Sequence, residues 1–283
     1  MITRDVAPDD VADLALAPPR AALATIIDDE ITLLPVDVTL EEPFDPASSP
    51  RLVRLASDMP DLSGRDVVVV ADDGPQWFRL RSLTARGTAS VINERLFRIS
   101  PRRVVAWDYG ALRDVPTKSP TAERQQVSLS GTLDDASSFR SAELEAALRV
   151  SRVMILATRS SKGTPFAVPL WFVVHDGRIY AATSITSWTV RNVTTCPDIC
   201  LLLGGERGSS GERLAVRARA RAVAGPPPVA VLARTAWRYY LRPEFAAVEL
   251  GHIKLWGKRM RYYTQARPAH VVIAPVAQSI HLV

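Results

Sequence analysis

The sequence predicts a mainly β fold with short helices, an α+β chain built as two tandem β-barrels. Three observations lead there. The 283 residues, 47% of them hydrophobic, are enough for two ordinary cores. Apolar runs of strand length recur along the chain, bounded by glycine, proline or acidic turns. Finally, six short motifs of the first half return in the second half in the same order.

The pairs are ALAT at 22–25 with ILAT at 155–158, LLPVDV at 33–38 with AVPLWF at 167–172, and RLVRLAS at 51–57 with RIYAATS at 178–184. DVVVV at 66–70 then answers DICLLL at 198–203, RLRSLTARGTA answers RLAVRARARAV, and FRISP at 97–101 answers VVIAP at 271–275. Each match is weak alone, but six in one order argue for duplication.

Taken in order, residues 1–20 read as irregular, and AALATIIDDEITLLPVDVTLEE as a hairpin turning at Asp28-Asp29-Glu30. RLVRLA (51–56), RDVVVVAD (65–72), WFRLRSLTARGTA (77–89) and RLFRIS (95–100) supply further strands. The polar, proline-punctuated stretch 111–138 reads as the connection, which divides the chain into 1–120 and 121–283. Ser141 caps a short helix with Leu144 and Leu148 on one face. VMILAT is the next strand, and PFAVPLWFVV with RIYAAT forms a hairpin about Asp176-Gly177. ICLLLG, ERLAVRARARAVA and AHVVIAP complete the second sheet. An insertion around 229–265 starts with a helix whose expected buried stripe is Val229, Leu232, Ala236 and Tyr240.

The composition narrows the function. A net charge of +5 without basic blocks disfavours nucleic acid as a partner. No apolar run reaches membrane-spanning length, and the acidic N-terminus MITRDVAPDD does not resemble a secretory signal, so the expectation is a cytoplasmic protein with no membrane partner. Cys196 and Cys200 read as core thiols, and His175, His252, His270 and His281 are scattered, so a protein-built metal site is not expected. The acidic groups Asp28-Asp29-Glu30 and Asp72-Asp73-Gly74 both read as solvated turns. The cluster Gly204-Gly205 with Gly208 and Gly211 reads as a hairpin connection, because no phosphate-capping helix follows it.

Three stretches carry candidate chemistry. On ERLAVRARARAVA, Arg213, Arg217, Arg219 and Arg221 share one strand face while Leu214, Val216, Ala218, Ala220 and Ala222 share the other. Such a guanidinium ladder either grips phosphate or carboxylate or is a solvated face. In AVPLWFVV, Val168, Leu170, Phe172 and Val174 fit an inner face; Pro169 and Trp171 point away, and Pro169 implies an edge or a local opening of the sheet. In TSITSWTVRNV, Ser187 opens a short helix whose Val190 packs inward and whose Arg191 faces water, with Thr183, Ser184 and Thr189 nearby as hydroxyls for an anion.

The run ILATRSSKGTPFAVPLWFVVHDGRIYAATSITSWTVRNVTTCPDICLLL resembles the leading segment of the pyridoxamine 5′-phosphate oxidase-like, or FMN-binding split-barrel, family. The likeness covers residues 141–224 and resumes at 269–283, with the first half similar to a degenerate copy. In that family two barrels pair and hold cofactor at their contact, so the resemblance implies a pseudo-dimer within one chain, which can assemble again as a homodimer. It implies that Val168, Pro169, Leu170 and Trp171 approach the isoalloxazine ring and that Thr183 and Ser184 lie on the next lining strand. The family phosphate element resembles SRKxRN; here Ser187, Trp188, Thr189, Val190, Arg191 and Asn192 stand in its place, so both central charges are missing. Arg217, Arg219 or arginines of the first half are the replacements the resemblance suggests. The implied function is FMN- or deazaflavin (F420)-dependent oxidoreduction of a small-molecule ligand, with hydride transfer in the cofactor and no side chain assigned to catalysis. A non-catalytic or regulatory binding protein and a haem-binding split barrel stand as the alternatives.

Overall fold

A computed structural model describes residues 3–55, 61–112, 141–205, 213–257 and 267–282. The connection placed at 111–138 lies outside the described residues beyond Leu112, as do Gly208, Gly211 and the end of the 229–265 insertion.

The first half runs β1 (Thr3–Val6), α1 (Ala12–Leu16), β2 (Arg20–Ile27), β3 (Glu30–Leu40), β4 (Arg51–Leu55), β5 (Asp66–Asp72), β6 (Arg81–Asn93) and β7 (Leu96–Leu112). The second runs α2 (Ala142–Val150), β8 (Val153–Arg159), β9 (Pro165–Trp171), β10 (Val173–His175), β11 (Arg178–Ser184), α3 (Trp188–Thr195), β12 (Asp198–Leu203), β13 (Leu214–Ala224), α4 (Val229–Tyr239), α5 (Pro243–Gly251) and β14 (Pro268–Leu282). The described strands form two seven-stranded sheets, ordered β1-β7-β4-β3-β2-β5-β6 and β10-β11-β14-β13-β12-β8-β9, and β7 also pairs with β6 to close the first.

The two sheets share one wiring diagram. β2 pairs with β3 and β5 as β8 pairs with β9 and β12. β7 is flanked by β4 and β6 as β14 is flanked by β11 and β13. β3 does in one piece what β9 and β10 do in two, and the break falls at Phe172. All six motif pairs fall on corresponding strands, so the chain is two tandem split barrels.

Turn chemistry follows the sequence. Asp28 and Asp29 take φ of 50° and 64°, and Asp176 and Gly177 take 48° and 64°, the left-handed pair that tight two-residue hairpins require. Trp77–Arg79 forms a short 3-10 turn rather than strand, so the strand expected from 77 begins at Arg81.

Each barrel has its own core: Leu23, Val53, Val69 and Ile99 in the first, and Met154, Leu156, Leu201 and Ile273 in the second. A third cluster belongs to both. Ala22, Ala24, Ile31, Leu33, Val68 and Val70 meet Ile155, Ala157, Ala167, Cys200, Leu202 and Ala215 across a seam built from corresponding strands. Strands β2, β5, β8 and β12 thus bury one face in a barrel and the other in the seam, which is why VVVV and MILA run without polar alternation.

The seam also holds a buried ion pair. Arg20 Nη2 donates to Asp72 at 2.7 Å and Nη1 donates to the carbonyl of Val153, 2.9 Å away in the other barrel; neither charged side chain has exposed surface. Asp73 is nearly as buried and binds Arg81. The solvated turn expected at Asp72-Asp73 is therefore corrected: arginines supply the partners that let both carboxylates leave water. The expected stripe on α4 is also out of phase. Val231 and Tyr239 are buried, whereas Val229 is 82% and Leu232 44% exposed, because α4 sits on β10 by a narrow contact rather than along a broad face.

Candidate functional site

Ser187 is the N-cap of α3, its Oγ accepting the Val190 N–H at 3.2 Å, while Val190 packs fully inward. Capping turns the first free N–H groups of the helix outward next to Trp188. Trp188 stacks on Phe166 of β9 (centroids 5.4 Å, interplanar 20°), which joins the helix start to the strand carrying Val168–Trp171. Asn192 Nδ2 donates to Thr158 Oγ1 at 3.0 Å, a second tie between α3 and the sheet.

A cation from the first barrel completes this corner. Arg86 of β6 lies 4.2 Å above the Phe166 ring and donates to the Pro165 carbonyl at 3.4 Å; Arg191 lies 4.5 Å over Trp188. Burial, with the neighbouring Arg103 and Arg102 charges, holds the Arg86 guanidinium below its usual pKa, and only Asp66 offsets this. Asp66 itself is bound to Arg102. Positive charge is thus concentrated, and undercompensated, beside a helix N-terminus and two stacked rings, which suits an anion.

The structure places the remaining sequence candidates as follows. Thr183 and Ser184 end β11 just before α3, with Ser184 Oγ 3.0 Å from Thr186 Oγ1; Thr189 is buried in the first turn. Val168 is half-buried on the Phe166 side of the strand, and Leu170 packs onto the second core. β9 is an edge strand of its sheet, as Pro169 implies, and this edge lies against β2 and β5 of the first barrel. Trp171 is occupied on two sides: its Nε1 donates to the Pro75 carbonyl at 2.7 Å, and its ring stacks on Tyr239 of α4 (4.3 Å, 7°). Three of the four ladder arginines are turned to carboxylates, Arg213 to Asp37 and Arg217 to Glu30 across the seam and Arg219 to Asp198 at 3.4 Å.

Arg86 and Phe166 escape a sequence reading. Arg86 sits in TARGTA eighty residues from its ring partner, and only the seam joins them. Phe166 carried a weak signal, since it shares strand parity with Val168. Among the described residues, no three His, Cys, Asp or Glu side chains gather as metal ligands would, and no helix is long and apolar enough to cross a membrane.

Two barrels wired alike, joined face to face with an anion-suited corner at their seam, define a tandem split-barrel protein. Residues 141–257 match the sequence model of the pyridoxamine 5′-phosphate oxidase family, and this part of the chain is a domain of that type. No curated protein matches the sequence. Among solved structures, it is similar to a conserved hypothetical protein from Mycobacterium tuberculosis (25% identity, 53% of this chain and 88% of that one, TM-score 0.33). It is also similar to the heme storage protein of Vibrio cholerae (18%, 50% and 92%, TM-score 0.35) and to the FAD binding protein of Mycobacterium smegmatis (16%, 37% and 96%, TM-score 0.31).

Proposed function

We propose that the protein binds a phosphate-bearing small molecule at the seam, with the anion held by Arg86, Arg191 and the Ser187-capped start of α3. The carrying observation is Arg86, a half-buried cation crowded by Arg102 and Arg103 and stacked on Phe166. FMN is the first ligand to test, because the matched family is named for a phosphate ester, pyridoxamine 5′-phosphate, and the sequence resembles FMN-binding split barrels. Arg86 stands in for charge that Trp188 and Thr189 lack, while Arg191 is the motif's own retained arginine. Coenzyme F420 has the same kind of anionic tail, and haem carries carboxylates instead.

The phosphate end fits the residues present, whereas the ring end is filled by Trp171, Tyr239 and Pro75. That favours a binding or regulatory protein. The second reading, a flavin-dependent oxidoreductase, rests on the family match; bound flavin would supply hydride transfer there. In either case Arg86 and Arg191 neutralise the anion, Ser187 orients it, and Trp188 with Phe166 excludes water from one side.

Titration with FMN, riboflavin, F420 and haem, followed by absorbance, tests the reading. We expect saturable micromolar FMN binding that falls about tenfold or more in Arg86→Gln, the scale of one lost charge-assisted hydrogen bond. Riboflavin binding as tightly as FMN, or the absence of saturation by any phosphate-bearing ligand, overturns it.

A further inference from the structure

A cavity of about 690 Å³ opens on the second barrel between α2, β10 and α4. It is lined by Arg149, Arg234, Arg238, Arg242 and Trp237, with Glu145 the one carboxylate on its wall among the described residues. Neither the seam nor the candidate residues of the Val168–Arg191 region contribute to it.

Two of the arginines, Arg234 and Arg238, are held in place by groups that do not neutralise them. Arg238 donates to the carbonyl of Leu148 at 2.9 Å and to that of Ser151, and it lies 5.1 Å over the Phe172 ring. Its Nε is buried without a hydrogen-bond partner. Arg234 donates to the Val174 carbonyl at 3.3 Å. Among the described residues, no carboxylate forms an ion pair with Arg149, Arg234, Arg238 or Arg242. Four guanidiniums around one cavity repel each other unless something anionic lies among them. A single carboxylate leaves a surplus of about three charges, so one monoanion would not balance the wall. Trp237 offers an indole 67% exposed at the same cavity, a flat apolar surface that a ring can cover.

We propose that this cavity is a second ligand site, for a small organic polyanion carrying a flat ring, its phosphate or carboxylate groups set among Arg234, Arg238 and Arg242 and its ring against Trp237. The volume suits a ligand of nucleotide size. Because α4 carries both Arg238 and Tyr239, an occupant here touches the helix that covers Trp171.

Calorimetric titration tests this in an Arg86→Gln background, which removes the seam anchor and keeps failure of one site distinct from failure of the other. The probes are ADP, pyrophosphate, citrate and adenosine. ADP is expected to bind saturably and more tightly than pyrophosphate or citrate, with adenosine not binding. The exposed-residue variants Arg234→Gln and Arg242→Gln should each weaken ADP about tenfold, and Trp237→Leu should remove its advantage over pyrophosphate. Binding of pyrophosphate over citrate, or the reverse, identifies the preferred anion and supports the site in either case. No saturable binding of any anionic probe below millimolar concentration, or an ADP affinity unchanged in both arginine variants, overturns it.

Discussion

The hydroxyl of Tyr239 does at one point what a neighbouring strand does elsewhere. Where β9 breaks into β10, it accepts the Phe172 N–H at 3.1 Å and lies 2.6 Å from the carbonyls of Phe172 and Arg152, one of which takes its proton. Tyr239→Phe should therefore cost about 1–3 kcal/mol in urea unfolding, since buried backbone groups lose their partner. His270 gives a pH signature. Burial, reinforced by Arg221 and opposed by the Gly225 carbonyl, lowers its pKa in the folded chain. The unfolded chain therefore takes up the proton first, and this contribution to stability is present above about pH 6.5 and is lost as pH falls below it. Melting temperature should drop from pH 7.5 to 5.5, and His270→Asn should shrink that drop. The Cys200 thiol is pushed up to about 11 by burial, so a thiol reagent at pH 7.5 should leave it unmodified until the chain unfolds.

At the scale of elements, what could be read from the sequence depended on how many faces each element buries. On β13, Leu214, Val216, Ala218, Ala220 and Ala222 all join the core and the arginines take the other face, as simple alternation implies. The α2 cap at Ser141, the α3 cap at Ser187 and both two-residue hairpins were equally plain, because local chemistry dictates them. Asp72 misleads because a buried carboxylate and an exposed turn look alike until the partner, fifty-two residues away, is known. Helix α4 misleads for another reason: it docks through Val231 and Tyr239, too few positions to print a stripe. Val231→Ala should accordingly cost about 2 kcal/mol, while Leu232→Gln should stay within roughly 0.5 kcal/mol in the same unfolding assay. Of the candidate site, the α3 half was legible as a motif and the Arg86 half was not, because it lies on a different barrel.

For the whole molecule, the seam is the decisive feature. It buries apolar side chains from both halves and the Arg20–Asp72 pair, whose guanidinium reaches across to Val153. Arg20→Met leaves the Asp72 carboxylate buried alone and should cost about 3–5 kcal/mol, with an unfolding transition that no longer coincides between barrel probes. Residues 141–283 expressed alone would expose Ile155, Leu202 and Ala215 to water. We expect that fragment to self-associate through this face, which light scattering after gel filtration would report as a dimer.

The two connections that follow β4 and β11 differ in a way that bears on stoichiometry. Residues 185–197 hold α3 with its capped start, whereas the matching stretch 56–65 is shorter and its described part, 61–65, is a turn without helix. Two identical subunits would offer an even number of phosphate anchors. Joined in one chain, the halves can differ, and with α3 in the second and Arg86 on a strand of the first, the proposed seam site should saturate at one FMN per polypeptide.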